Sequence, residues 1–264
     1  MKQYVLANGK TVSRPRSYLL LTLLLFAGAL CLSAAVTGFN LTTLIERGKQ
    51  FFVILKQMFP PKVSYIKTIW RPLLDTIKMS LLGSLIGSLL VVPIAMAAST
   101  NITKNRLITS ALRLFLSLVR TLPTLVTALI ATYAFGLGTL AGTTAIAIFT
   151  FAYVGKMLYE QIETVDMGAY EAMEAMGASK LYACMYAIVP QVLPAYLSIC
   201  LFCFEGNVRY ASILGYVGAG GLGLILNEKI GWREYESVGM ILIMLFAAVV
   251  LIESVSHYLR SKLV

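Results

Sequence analysis

Three ionisable residues sit where the sequence is otherwise too apolar for charge: Arg120, Glu205 and Arg209. An ionised group inside a bilayer costs at least about 2.5–3.5 kcal/mol, so such residues face one another or a wet cavity. Glu205 and Arg209 are spaced i,i+4 with the acid first, the favourable order for a helical ion pair, and Asn207 lies between them. Two roles are open to this group. It staples helices together, or it lines a translocation path or its gate. In the second role the planar fork of Arg120 suits an oxygen-rich anion. Counted from Val192 at about 1.5 Å per residue, Glu205 lies roughly 20 Å and Arg209 roughly 25 Å along the helix, in the outer half of a bilayer.

Other chemistry is poorly supplied. The four cysteines (Cys31, Cys184, Cys200 and Cys203) and the single histidine, His257, do not provide the ligand spacing of a zinc site. The Cys200-x-x-Cys203 pair falls inside an apolar run, where cysteine serves as a small buried residue. Gly218-x-Gly220-x-x-Gly223 matches a dinucleotide fingerprint by letter, but no strand precedes it and no βαβ unit surrounds it. It reads instead as a tight outer turn or re-entrant segment where glycines allow close backbone approach. No Gly-x-x-x-x-Gly-Lys-Ser/Thr loop occurs, so the chain does not hydrolyse ATP alone and is not itself an enzyme.

The elements that must position these residues are membrane helices. Of 264 residues, 58% are hydrophobic and only 13% charged, and the mean hydropathy is +0.80. A soluble chain of this size is about a quarter charged, so lipid must be the solvent for much of this one. The net charge of +10 comes from basic residues lying mostly in short segments between apolar runs. That pattern fits loops facing anionic headgroups and argues against nucleic acid.

Six apolar runs, at 18–38, 77–99, 114–135, 137–153, 192–210 and 238–255, approach the length needed to cross a core of about 30 Å. The first is a retained anchor or, less simply, a cleaved signal. Residues 1–17 form a tail, and residues 39–74 an amphipathic interfacial segment whose stripe of Leu41, Leu44, Ile45, Phe51, Phe52, Leu55, Met58 and Phe59 opposes Arg47, Lys49 and Lys56. Pro60-Pro61 ends it. Residues 75–264 form the main transmembrane domain. Basic residues at 1–17, 100–113, 154–191 and 256–264 place both termini in the cytoplasm, although 39–74 carries six basic residues on the opposite side.

One stretch, 160–190, is polar enough for water. Asp166 caps a helix beginning at Met167. Glu171 and Glu174 share a face, Ala172, Met173, Ala175 and Met176 favour helix, and Gly177 fits a left-handed terminus. Ala178 follows, Ser179 restarts a helix, and Pro190 and Pro194 open the fifth span. A short helix fixed across the end of a bundle is a handle: push on it and the spans tilt.

At these residues the chain resembles the inner-membrane permeases of bacterial ATP-binding-cassette importers. Their loop runs Glu-Ala-Ala, three residues, Gly, nine residues, Ile, one residue, Leu-Pro. Glu171, Ala172, Gly177 and Pro190 match at those spacings. Met173 replaces the second Ala, and Ala187 and Val189 stand where Ile and Leu are usual. Phe204-Glu205-Gly206-Asn207-Val208-Arg209, Ile213–Gly223, Met58-Phe59-Pro60-Pro61, Arg120-Thr121-Leu122-Pro123 and Glu163-Thr164-Val165-Asp166 resemble the phosphonate importer permeases in particular.

The resemblance implies an all-α integral membrane fold with about six transmembrane helices, the type I (MetI-like) importer permease fold. It makes Glu171, Ala172, Met173, Glu174, Gly177, Ala178 and Pro190 the element coupled to an ATPase. It also implies two ATPase subunits holding ATP and Mg, a second permease copy or sister, an extracytoplasmic solute-binding protein, and a place in the bacterial plasma membrane. The implied cargo is a phosphonate or related small phosphorus oxyanion moved by alternating access. The rival classes are a different solute, a self-sufficient channel or secondary transporter, and a membrane-embedded enzyme. One His and one buried Glu leave little for the last.

Overall fold

The computed structural model describes residues 3–5, 11–13 and 18–263. The chain divides into two units, Met1–Lys56 and Gln57–Val264. In the first, strands β1 (Gln3–Val5) and β2 (Thr11–Ser13) form a small antiparallel ladder with Tyr4 opposite Val12. It is the one departure from the all-helical expectation among the described residues. Helix α1 (Leu19–Val36) has 18 residues, none of them buried, and is about 27 Å long. Helix α2 (Leu41–Gln57) follows, with its apolar stripe uncovered.

The second unit is a helical bundle: α3 (Ile66–Ala98), α4 (Arg106–Thr121), α5 (Thr124–Phe135), α6 (Thr139–Glu163), α7 (Gly168–Ala175), α8 (Lys180–Ala183), α9 (Val189–Leu214), α10 (Leu222–Gly231) and α11 (Tyr235–Arg260). Among the described residues five helices are long and apolar enough to span, or six if the bent pair α4–α5 is one crossing.

The helices depart from the segments read in the sequence in three places. The amphipathic segment does not run to 74: α3 begins at Ile66, so Lys67 and Arg71 ride on its first turns. The run at 114–135 is not one rod, because α4 and α5 meet at 85°. Pro123 disfavours the helical conformation at Leu122, whose ψ is 122°. The run at 137–153 continues as helix to Glu163, supported by a Lys156–Glu160 pair at 3.4 Å, since helix propensity outlasts hydropathy there.

The centre of the bundle is a seam between α3 and α6, which run parallel. Gly83 faces Ile146, Gly87 faces Ala147 and Thr150, and Gly155 faces Val91. Small residues let two backbones approach closely in a medium that offers no hydrophobic drive for helix association. At one end of the bundle the Gly-rich turn is held by Gly138 N donating to Gly218 O at 3.0 Å and Leu222 N donating to Thr76 Oγ1 at 2.7 Å. The ends of α3 and α6 lie at the opposite end.

A β-carbon on Gly87 would lie 2.5 Å from the Ala147 carbonyl oxygen. Gly87→Ala should therefore cost about 1–3 kcal/mol, read as a lower unfolding midpoint in mild detergent. An unchanged midpoint would mean that the seam opens freely.

Candidate functional site

The handle is present and its construction is local. Asp166 Oδ1 accepts from Gly168 N at 2.9 Å and starts α7, one residue later than Met167. Gly177 N donates to Glu174 O at 3.0 Å and Ala178 N to Met173 O at 3.1 Å. These are the paired bonds of a Schellman terminus, and they require the left-handed φ of +86° found at Gly177. Ser179 Oγ accepts from Tyr182 N at 3.4 Å and opens α8. A π-turn, Cys184–Ile188, joins α8 to α9. It lies where Pro190 supplies no N–H and its ring crowds the preceding turn, a clash that a wider helical turn relieves.

The two faces of α7 differ. Glu171, Ala172, Glu174 and Gly177 are exposed, Met173 and Ala178 half-buried, and Met176 is 79% exposed. Tyr170 faces the other way, buried among Ala95 of α3, Leu158 and Ile162 of α6, and Ala187, Ile188 and Val192. Burial pushes its hydroxyl above the usual tyrosine range, with Glu174 adding to the shift. Gln191 Nε2 donates to Asp166 O at 3.2 Å and to Ala187 O at 2.7 Å, tying α9 to the start of the elbow. Pro190 is exposed in the first turn of α9. The elbow is thus wedged into the bundle by one aromatic ring and presents two carboxylates to water.

The structure does not gather the intramembrane residues into one site. Glu205 is buried and ion-pairs with Arg209 on its own helix. It also meets Arg260 of α11 at 3.4 Å, and Arg209 reaches Glu253 at 3.4 Å. Glu253 is therefore part of the network. Ser256 Oγ and Arg260 Nε are buried without a partner among the described residues. Asn207 belongs to a different cluster. Its amide donates to Ser84 Oγ and Thr150 Oγ1, each at 2.8 Å, so it knots α9 to α3 and α6. At 1% exposure it lines no open path in this conformation. Arg120 is exposed in the last turn of α4, just before the bend.

Glu205 lies opposite Arg260, the last residue of α11. The helical stretch that carries it runs from Lys180 to Val217, longer than the apolar run at 192–210. Arg260 and Glu253, like Ser84 and Thr150, escaped the sequence reading because no local spacing links them to α9.

Among the described residues no group of three His, Cys, Asp or Glu side chains converges as metal ligands would. A multi-span helical bundle with a wedged, water-facing elbow defines the membrane subunit of a transporter. Residues 90–263 match the family model described as binding-protein-dependent transport system inner membrane component, and the chain belongs to that family. It is 32% identical over 219 residues to the phosphite transport system permease protein PtxC of Stutzerimonas stutzeri, covering 83% of this chain and 80% of that one. It is 32% identical over 212 residues to the phosphate-import permease protein PhnE of Mycolicibacterium smegmatis, covering 80% of this chain but 40% of that longer one. The fold matches the inward-facing MetNI methionine ABC transporter with a TM-score of 0.67 at 18% identity, covering 77% of this chain and 99% of that one.

The knot at Asn207 can be weighed. Asn207→Leu should lower stability in detergent by about 1 kcal/mol. Combined with Ser84→Ala it should cost less than the sum of the two changes. Strict additivity would show that the 2.8 Å bond carries nothing.

Proposed function

We propose that this chain is the permease of an ATP-driven importer for a phosphonate or a related small phosphorus oxyanion such as phosphite. The observation that carries the reading is the elbow: α7 turns Glu171 and Glu174 outward while Tyr170 anchors it in the bundle. A force applied to such an element moves the spans instead of bending a loop. The oxyanion cargo is favoured by relatives named for phosphite and phosphate transport.

In this reading the elbow lies in the cytoplasm against an ATPase subunit that holds ATP and Mg. Two permeases, identical or sisters, stand over two ATPases, and an extracytoplasmic binding protein delivers the anion. Both chain termini lie on the cytoplasmic side, and residues 41–57 rest in the headgroup region. ATP-driven closure favours one arrangement of the spans and its release the other. This is alternating access, in which each partner binds the two states with different affinity. Specificity resides largely in the binding protein. In this reading Arg120 and Arg209 are the cations that meet an anion in transit.

Two measurements test the reading. Vesicles holding the complete importer should take up phosphite, methylphosphonate or phosphate only when ATP is supplied. Uptake without any ATPase would instead favour a channel or secondary transporter. Glu171→Lys and Gly177→Asp should leave the protein in the membrane and abolish stimulation of ATP hydrolysis by loaded binding protein. Full stimulation in both variants would remove α7 from the coupling role.

A further inference from the structure

The elbow is attached to the bundle at a second point that α7 itself does not contain. Glu163 ends α6, three residues before the Asp166 that opens α7. Its Oε1 accepts from Thr100 N at 2.8 Å, from Thr100 Oγ1, and from Arg113 Nη2. Arg113 belongs to α4. Its Nε donates at 2.9 Å to the carbonyl of Ala98, the last residue of α3. The guanidinium lies 4.8 Å from the centre of the Tyr159 ring on α6, within cation–π range. Asn101 Nδ2 donates to Ile162 O at 3.1 Å and occupies another terminal carbonyl of α6. Both members of the pair are about a quarter to a third exposed.

Three helices therefore meet on one arginine. The carbonyls at the end of α3 carry partial negative charge and favour a cation there. One edge of the guanidinium satisfies such a carbonyl while another holds the Glu163 carboxylate. Lysine has the charge but not the fork needed to span both acceptors. The joint matters for α4 because that helix is otherwise lightly held. It buries two residues, Thr109 and Leu116, whereas α6 buries ten. Beyond α4 lies the 85° bend and then α5.

We propose that Arg113 and Glu163 are positioning residues of the transport cycle, the joint that makes α4, and through it the bent α4–α5 crossing, follow the elbow. The proposal rests on α7 being the element on which the ATPase acts. α3 and α6 are locked together along their glycine seam and carry the elbow. α4 would slide against that block if the ion pair were absent. The pair thus converts a motion applied at α7 into a motion of the bent crossing.

The test uses the complete importer, with its ATPase and binding protein, in vesicles, with phosphite as the transported probe. Glu163→Gln removes the charge but keeps an acceptor for Thr100, and Arg113→Lys keeps the charge but loses the fork. Each should lower the phosphite imported per ATP hydrolysed by about fivefold or more, with the amount of assembled complex unchanged. Wild-type ratios in both variants would overturn the proposal. Should the variants fail to assemble, spin labels at Leu107 on α4 and Met176 beside α7, 82% and 79% exposed, decide the matter in an otherwise unaltered chain. A separation that holds through ATP binding supports a joint, and a change of about one helical turn, roughly 5 Å, overturns it. If instead the importer is indifferent to Glu171→Lys, it is the reading of α7 that falls, whatever the Arg113 and Glu163 variants show.

Discussion

Hydrocarbon accepts no hydrogen bonds, and the arrangement of this chain follows from that constraint. A polar group carried into the bundle is costly unless it finds a partner inside it. Thr76 donates to the Pro72 carbonyl and accepts from Leu222 N, and Ser80 donates to the Thr76 carbonyl. Asn207 spends both amide hydrogens on neighbouring helices. With hydrophobic drive absent between helices, close contact has to come from small residues, and Gly83, Gly87 and Gly155 supply it along the α3–α6 seam. The result is a block of three helices, α3, α6 and α9, joined by van der Waals contact and a few hydrogen bonds, the Asn207 amide and the Tyr196 hydroxyl among them.

Where the chain leaves that block, the same constraint reverses. The carbonyls at the ends of α3 and α6 have no helical partners and draw in Arg113 and Asn101. The elbow is the place where polar side chains can stay unpaired, because water reaches them. Glu171 and Glu174 stand on that face, and Tyr170 occupies the apolar side. The division between wet and dry faces of one short helix makes α7 both accessible to a soluble partner and rigidly connected to the spans.

The elbow was largely legible in the sequence because its determinants are local. Asp166 and Ser179 cap helices within three residues of themselves, and Gly177 needs only its own φ. The intramembrane residues were legible as anomalies but not as partners. Asn207 and Ser84 are 123 residues apart, Arg260 and Glu205 55, and Arg113 and Glu163 50. Periodicity carries no record of such pairs. Hydropathy likewise found the α4–α5 crossing but not its bend, although Pro123 was in plain view. A proline restricts the residue before it, but only the packing around it decides between a kink and a break of 85°.

The sequence alone determined that this is a membrane bundle with a water-facing elbow, because composition chooses the solvent and capping chemistry acts over a few residues. The tertiary structure decided which helices pack as one block. It knotted Asn207 to Ser84 and Thr150, gave Glu205 a second arginine, and set one guanidinium where α3, α4 and α6 meet. Those outcomes depend on which distant surfaces come within about 3 Å of one another, a distance that hydrogen bonding enforces and that no spacing along the chain encodes.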